Sequence, residues 1–217
     1  SELKQYRITG AVEATSSARK EERMPEGTAV CHVALLDYGA KKQCVEDLLA
    51  RGCKVTILPY DTKAEEVLEL HPDGVMLSDG PGDPAENTAC IEELKKLWGK
   101  LPMFGIGLGH QMMALAAGAE TTKLKYGHGG GNQPVRDLHT GRSYITSQNH
   151  GYAVVAESLE KAGGKMTYVN LNDNTCEGVE YPEQKAFSLQ FHPVAHGGPR
   201  DMETAFDRFV TMMGGDR

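Results

Sequence analysis

From residue 29 to residue 107 the chain alternates between dense apolar runs and amphipathic runs closed by glycine, and this alternation limits the fold more than any other feature. "AVCHVALLDYG" (29–39) is apolar at nearly every position, as a strand covered on both faces requires. "KKQCVEDLLARG" follows with Val45, Leu48 and Leu49 at helical spacing and Gly52 as its stop. "CKVTILPY" is a second strand, "KAEEVLELHPDG" a short helix and "GVMLSDG" a third strand. "PAENTACIEELKKLWG" is then a helix and "LPMFGIG" a fourth strand. Strands and helices in strict alternation imply a mostly parallel open sheet with right-handed crossovers and helices on both faces.

Beyond "HQMMALAAGAE" the rhythm changes to short alternating segments: "TTKLKYG", "QPVRDL", "RSYITSQ", "YAVVAES", "KMTYVNLN", "EGVEY" and "AFSLQFHP". These read as antiparallel strands added to the parallel sheet. "DMETAFDRFVTMM" closes the pattern as an amphipathic helix, with Ala205, Phe206, Phe209, Val210 and Met213 on one face. Residues 1–28 differ: "TSSARKEERMPEG" is polar, mixed in charge and punctuated by Pro25 and Gly27. They are expected to be a linker or the tail of a preceding domain, with residues 29–217 forming one α/β domain.

A net charge of −7 argues against a nucleic-acid or acidic-membrane surface, which needs clustered Lys and Arg. No apolar run reaches the ~20 residues of a membrane span, so a cytoplasmic location is expected. The five cysteines are widely spaced with no CxxC pair, and read as reduced, buried fillers. Apart from His192, the histidines His110, His128, His139, His150 and His196 show no HExxH and no i, i+4 pair, so no metal site is expected from spacing.

Ligands of open parallel sheets bind beyond the carboxyl ends of the strands, and three notable loops fall there. The third strand exits into "SDGPGDP" (78–84), where Gly80 and Gly82 can leave backbone N–H groups open to a ligand oxygen, or Asp83 can simply cap a turn. The fourth exits into "FGIGLGHQ" (104–111), the glycine-spaced outline of a nucleophile elbow. The amides of Leu108 and Gly109 are expected to face its centre as an oxyanion hole. That centre is Gly107, which carries no reactive atom. A later strand ends in "FHPVAHGGP", placing His192 as a base held at a strand end, and "SQNHGYAV" (147–154) lies in the antiparallel part.

Together, "LLDYGAKKQCVEDLLARG", "LSDGPGDP", "FGIGLGHQMMALAAGA", "KLKYGHGGGNQPV", "ITSQNHGYAV" and "SLQFHPVAHGGPRD" resemble the class I glutamine amidotransferase domain of carbamoyl phosphate synthetase small subunits, from about Val33 to Phe209. The resemblance implies a flavodoxin-like three-layer fold and a pocket for L-glutamine. The partner it implies is a large synthetase subunit, which receives ammonia and itself uses ATP and Mg, with no cofactor in this domain. Arginine and pyrimidine synthesis are the pathways such enzymes feed. The glutamine-binding positions of the family map to Gly80, Gly82, Leu108, Gln111, Asn149, Gly151 and Tyr152.

The catalytic positions do not all carry over. The family's nucleophilic Cys falls on Gly107 and its orienting Glu on Val194, leaving His192 alone of the triad. Glycine offers nothing that can form a thioester, and a histidine without its carboxylate loses the group that fixes its tautomer. The resemblance therefore implies an amidotransferase domain in which hydrolysis is lost, or a silent glutamine-binding, regulatory or scaffold subunit.

Overall fold

The structure is a computed structural model that describes residues 19–193 and 204–214. The strands are β1 (Glu21–Arg23), β2 (Cys31–Asp37), β3 (Cys53–Pro59), β4 (Gly74–Leu77), β5 (Met103–Ile106), β6 (Thr121–Asp137), β7 (Ser143–Val154), β8 (Lys165–Asn170), β9 (Cys176–Tyr181) and β10 (Ala186–Leu189). The helices are α1 (Lys42–Ala50), α2 (Ala64–Glu69), α3 (Thr88–Leu97), α4 (Leu108–Ala117) and α5 (Thr204–Met212). Among the described residues all strands join one sheet, ordered β1-β3-β2-β4-β5-β10-β9-β7-β6-β8. The run β3-β2-β4-β5 is parallel, as the alternating sequence predicts, whereas β10, expected among the antiparallel segments, extends it by pairing parallel with β5 and antiparallel with β9.

The two-residue period of the strands divides the core into two layers. Ala34, Leu36, Val75, Leu77 and Met103 face one side, where they meet Ala64 and Val67 of α2, Leu94 and Leu97 of α3, and Met112 and Met113 of α4. Val33, Leu35, Met76, Phe104 and Ile106 face the other, against Cys44 and Leu48 of α1 and Phe206, Phe209 and Val210 of α5. All five cysteines are buried and unpaired by disulfides. No helix among the described residues is long and apolar enough to cross a membrane.

The antiparallel region is more continuous than its sequence suggests. The expected segments at 121–127 and 133–138 belong to one strand, β6, whose register against β7 shifts between Lys123 and His128 and between Gly130 and Gln133. The glycines at 129–131, which punctuate the sequence like a turn, lie at this irregularity. Strand β7 likewise absorbs two expected segments. Strands β6, β7, β9 and β8 pair in a closed circuit, which leaves β10 to join them to the parallel part. Within the expected linker, β1 adds a short antiparallel edge to β3, pairing Glu22 with Thr56.

Phe104 is the packing centre of the α5 layer. Its ring stacks on Phe187 at 4.5 Å and meets Phe206 and Phe209 at 5.5 and 5.7 Å. Phe104→Ala is expected to cost about 3–5 kcal/mol, read as a lowered midpoint of urea denaturation. A loss below about 1 kcal/mol would show that α5 and the sheet do not share this core.

Candidate functional site at the strand ends

The sheet order reverses between β2 and β4, because the chain passes from β2 outward to β3 and then back across β2 to β4. Such a reversal opens a crevice beyond the carboxyl ends of the strands. The turn after β4 is bound to the end of β2, with the Tyr38 amide donating to Ser78 Oγ at 2.8 Å. It is bound equally to the elbow, since the Gly109 amide donates to the Ser78 carbonyl at 3.1 Å. A side chain at Gly80 would run into the Tyr38 carbonyl, so this close crossing requires glycine.

Gly107 connects β5 to α4 with φ +57° and ψ −113°, a backbone that side-chain-bearing residues reach only under strain. Its own amide donates to the Leu189 carbonyl at 2.9 Å, fixing the turn against β10. The geometry is that of a nucleophile elbow, as expected. The surroundings differ from expectation. A Cβ built on Gly107 would overlap Asp79 Oδ1 and Cγ. The Asp79 carboxylate occupies the space a nucleophile's side chain would need.

Asp79 is held there through both carboxylate oxygens. Its Oδ1 accepts from the amides of Leu108 at 3.0 Å and Gly80 at 2.8 Å, and its Oδ2 pairs with His192 Nε2 at 2.7 Å. Burial pushes the carboxyl up, but the hydrogen bond and charge of His192 and the two amides outweigh it, so the acid lies below the ordinary aspartate range. Two expectations are corrected here. Gly109 contributes nothing to an oxyanion hole, because its amide is spent on Ser78; and the Gly80 amide is closed by the neighbouring side chain. Asp83 does cap the following turn, accepting from the Ala85 amide at 3.0 Å.

The structure brings His192 to the elbow as expected, anchored by an antiparallel bridge to Ser147. Val194 lies outside the described residues. Gly80, Gly82, Leu108, Gln111, Asn149, Gly151 and Tyr152 all line one pocket of about 270 Å³, together with Asp79 and His150. Gln111 is already engaged, its Nε2 donating to the Tyr152 carbonyl and to Gln190 Oε1, both at 2.8 Å. His110, next to the elbow, is wholly buried against Ser188 Oγ at 2.8 Å, and burial pushes its pKa down to about 3, which keeps it neutral.

Asp79 has no role in the motif-based reading of the sequence. Its one signal there is a carboxylate between Ser78 and Gly80, in a loop otherwise notable for its glycines. A second grouping is equally hidden in the sequence, because its members come from separate strands. His128 of β6, His150 of β7 and Glu177 of β9 place ligand-capable atoms within 4.8 Å of one another. His128 Nδ1 is 3.2 Å from Glu177 Oε1, and its Nε2 is 2.7 Å from Asp173 Oδ2. An imidazolium held between two carboxylates accounts for this grouping. The hydrogen bond to Glu177 is the largest of the causes that raise His128 to about 9, against the cost of burial. His150 carries the effect to the pocket, since its ring meets His128 edge-on at 4.8 Å and its Nδ1 donates to the Tyr152 carbonyl at 2.7 Å.

With this geometry established, the comparisons with known proteins are specific. A family model for glutamine amidotransferase class-I matches residues 34–212. Carbamoyl phosphate synthase small chains from Staphylococcus epidermidis and Listeria monocytogenes are each 52% identical to the chain, over 181 and 183 residues. These alignments take in 83% and 84% of the chain and 50% of each relative, so the chain spans about half the length of the curated relatives it matches. Among solved structures, a glutamine amidotransferase from Thermotoga maritima superimposes with a TM-score of 0.60 at 18% identity, covering 83% of this chain and 81% of that one. A protein from Thermoplasma acidophilum, described as one of the subunits of a GMP synthase, reaches 0.71 at 20% identity, covering 88% and 95%. These two likenesses bear on the fold alone.

The His128 grouping gives a pH prediction. The folded-state value is raised above the ordinary imidazole value of about 6.5, so its stabilisation is complete below that pH and is lost as pH rises through about 9. The melting temperature should therefore fall between pH 6.5 and 9 in the natural chain, and fall less in Glu177→Gln. Parallel curves for the two proteins would contradict the assignment of a charged His128.

Proposed function

The chain belongs to the class I glutamine amidotransferase family, and from that premise we propose that it is the glutamine-binding domain of a carbamoyl phosphate synthase small chain in which hydrolysis has been lost. The pocket takes L-glutamine, with Gly80, Gly82, Leu108, Gln111, Asn149, Gly151 and Tyr152 around it. The partner is a large synthetase subunit, where ATP and Mg belong. The observation that carries the reading is the elbow itself. Position 107 has no side chain, and the space such a side chain would fill holds the Asp79 carboxylate.

Amide hydrolysis through an acyl-enzyme needs a nucleophile at the elbow and free N–H donors for the oxyanion. Here the nucleophile is absent and the Leu108 amide already serves an anion, Asp79. His192, which would take the thiol proton, is paired with that same carboxylate. Removing any one of these elements would slow hydrolysis strongly; here the nucleophile is missing and the other two are engaged by Asp79.

A second reading is a regulatory module that senses glutamine without consuming it. The clustering of all the binding positions around one pocket favours it. The two readings part on whether the site can be re-armed.

Release of ammonia from glutamine should be undetectable for the natural chain. Gly107→Cys alone should stay silent, because the new side chain collides with Asp79 and would set a thiolate beside a carboxylate. Combining Gly107→Cys with Asp79→Ala, which removes both the charge and the overlapping atoms, and with Val194→Glu should raise the rate by about 10³-fold or more over the natural chain. Ammonia release by the natural chain would refute the silent reading. A single Gly107→Cys variant as active as the triple one would refute the role given to Asp79. A folded but inactive triple variant would favour the sensing module over a disarmed enzyme.

A further inference from the structure

This inference rests on the reading of the pocket as an amino-acid site and concerns what its inner end selects. The wall there is made by Asp79, whose partner is His192, and among the described residues the pocket lining contains no Lys or Arg. Of the roughly four acceptor sites of a carboxylate, Asp79 uses two on Oδ1 for the Leu108 and Gly80 amides and one on Oδ2 for His192. One acceptor site on Oδ2 remains, on a side chain still 23% exposed. Burial lowers the pKa of His150, the neighbouring imidazole of the lining, and so disfavours its charged form.

We propose that Asp79 is a specificity-determining residue that inverts the polarity of the pocket, which therefore takes small amino acids whose inner end donates N–H groups, a carboxamide or an ammonium, and rejects those ending in a carboxylate. A ligand oxygen arriving at the elbow meets the carboxylate oxygens of Asp79, already paired with His192, and finds the Leu108 and Gly80 donors occupied. A ligand nitrogen meets an acceptor. Glutamine would thus bind with its amide NH2 toward Asp79 Oδ2, and its carbonyl oxygen would not sit on the Leu108 amide. In that pose the Leu108 amide does not polarise the carbonyl, so the same residue that admits glutamine leaves it unactivated.

The test is calorimetric titration of the natural chain and of Asp79→Asn with L-glutamine, L-glutamate and L-2,4-diaminobutyrate, the last being a short ammonium-ended probe. For the natural chain, glutamine and diaminobutyrate should bind, and glutamate about 100-fold more weakly than glutamine, as expected for like charges meeting in a partly buried site. In Asp79→Asn the glutamine-to-glutamate ratio should fall to within about tenfold and diaminobutyrate binding should weaken at least tenfold, once a thermal melt has shown the variant folded. Glutamate binding within tenfold of glutamine in the natural chain would overturn the proposal. So would a ratio left unchanged by Asp79→Asn. Absence of binding by all three compounds to both proteins would overturn the amino-acid pocket itself, and this proposal with it.

Discussion

The site is organised by one half-buried carboxylate. Asp79 gathers the Leu108 and Gly80 amides on one oxygen and His192 on the other, and so ties the turn after β4, the start of α4 and the segment after β10 into one unit. A carboxylate at the first turn of a helix is favoured by the uncompensated amides and dipole there. Placing it in the elbow removes the need for any other anion. It also removes the space for one, since a thiolate and a carboxylate cannot share the same donors without raising each other's pKa. Gly107 and Asp79 are therefore complementary: the glycine leaves the room that the aspartate fills.

The larger architecture makes that arrangement possible. Parallel strands β2, β4, β5 and β10 end at the same level, and each end carries one part of the site. The layers that hold these ends in place are apolar on both faces, so the polar groups have little freedom to rearrange. The antiparallel circuit supplies the remaining wall. His128, fixed between Glu177 and Asp173, supports His150, which in turn holds the Tyr152 carbonyl beside Gln111. A charge pair in the antiparallel part thus sets the geometry of a pocket built mainly by the parallel part.

Much of this is legible in the amino-acid sequence. Apolar runs such as 31–37 and 103–106 have no alternative to a doubly covered strand, and the glycine spacing at 105, 107 and 109 marks the elbow. The residues expected around the pocket do converge there, because each lies in a loop whose position the sheet topology dictates. What stays hidden depends on side-chain placement across separate elements. Spacing alone leaves the Leu108 and Gly109 amides free, yet neither is, since Asp79 and Ser78 take them. His128, His150 and Glu177 follow no local spacing rule, because strand register brings them together. The glycines of β6 suggest two strands, but a bulge accommodates them without ending the strand.

One absence, the missing thiol, is visible in the sequence; the structure adds an occupant. A vacant elbow would leave its oxyanion donors available, whereas an occupied one is an anion-filled site with a different chemistry. The most direct measurement is a carbon-13 NMR titration of the Asp79 side-chain carboxyl, assigned by its loss in Asp79→Asn. The inflection is expected below the usual aspartate value of about 3.9, as the contacts of His192, Leu108 and Gly80 require. An inflection at or above that value would mean that burial dominates and the carboxylate is not held in the elbow, which would contradict the central claim.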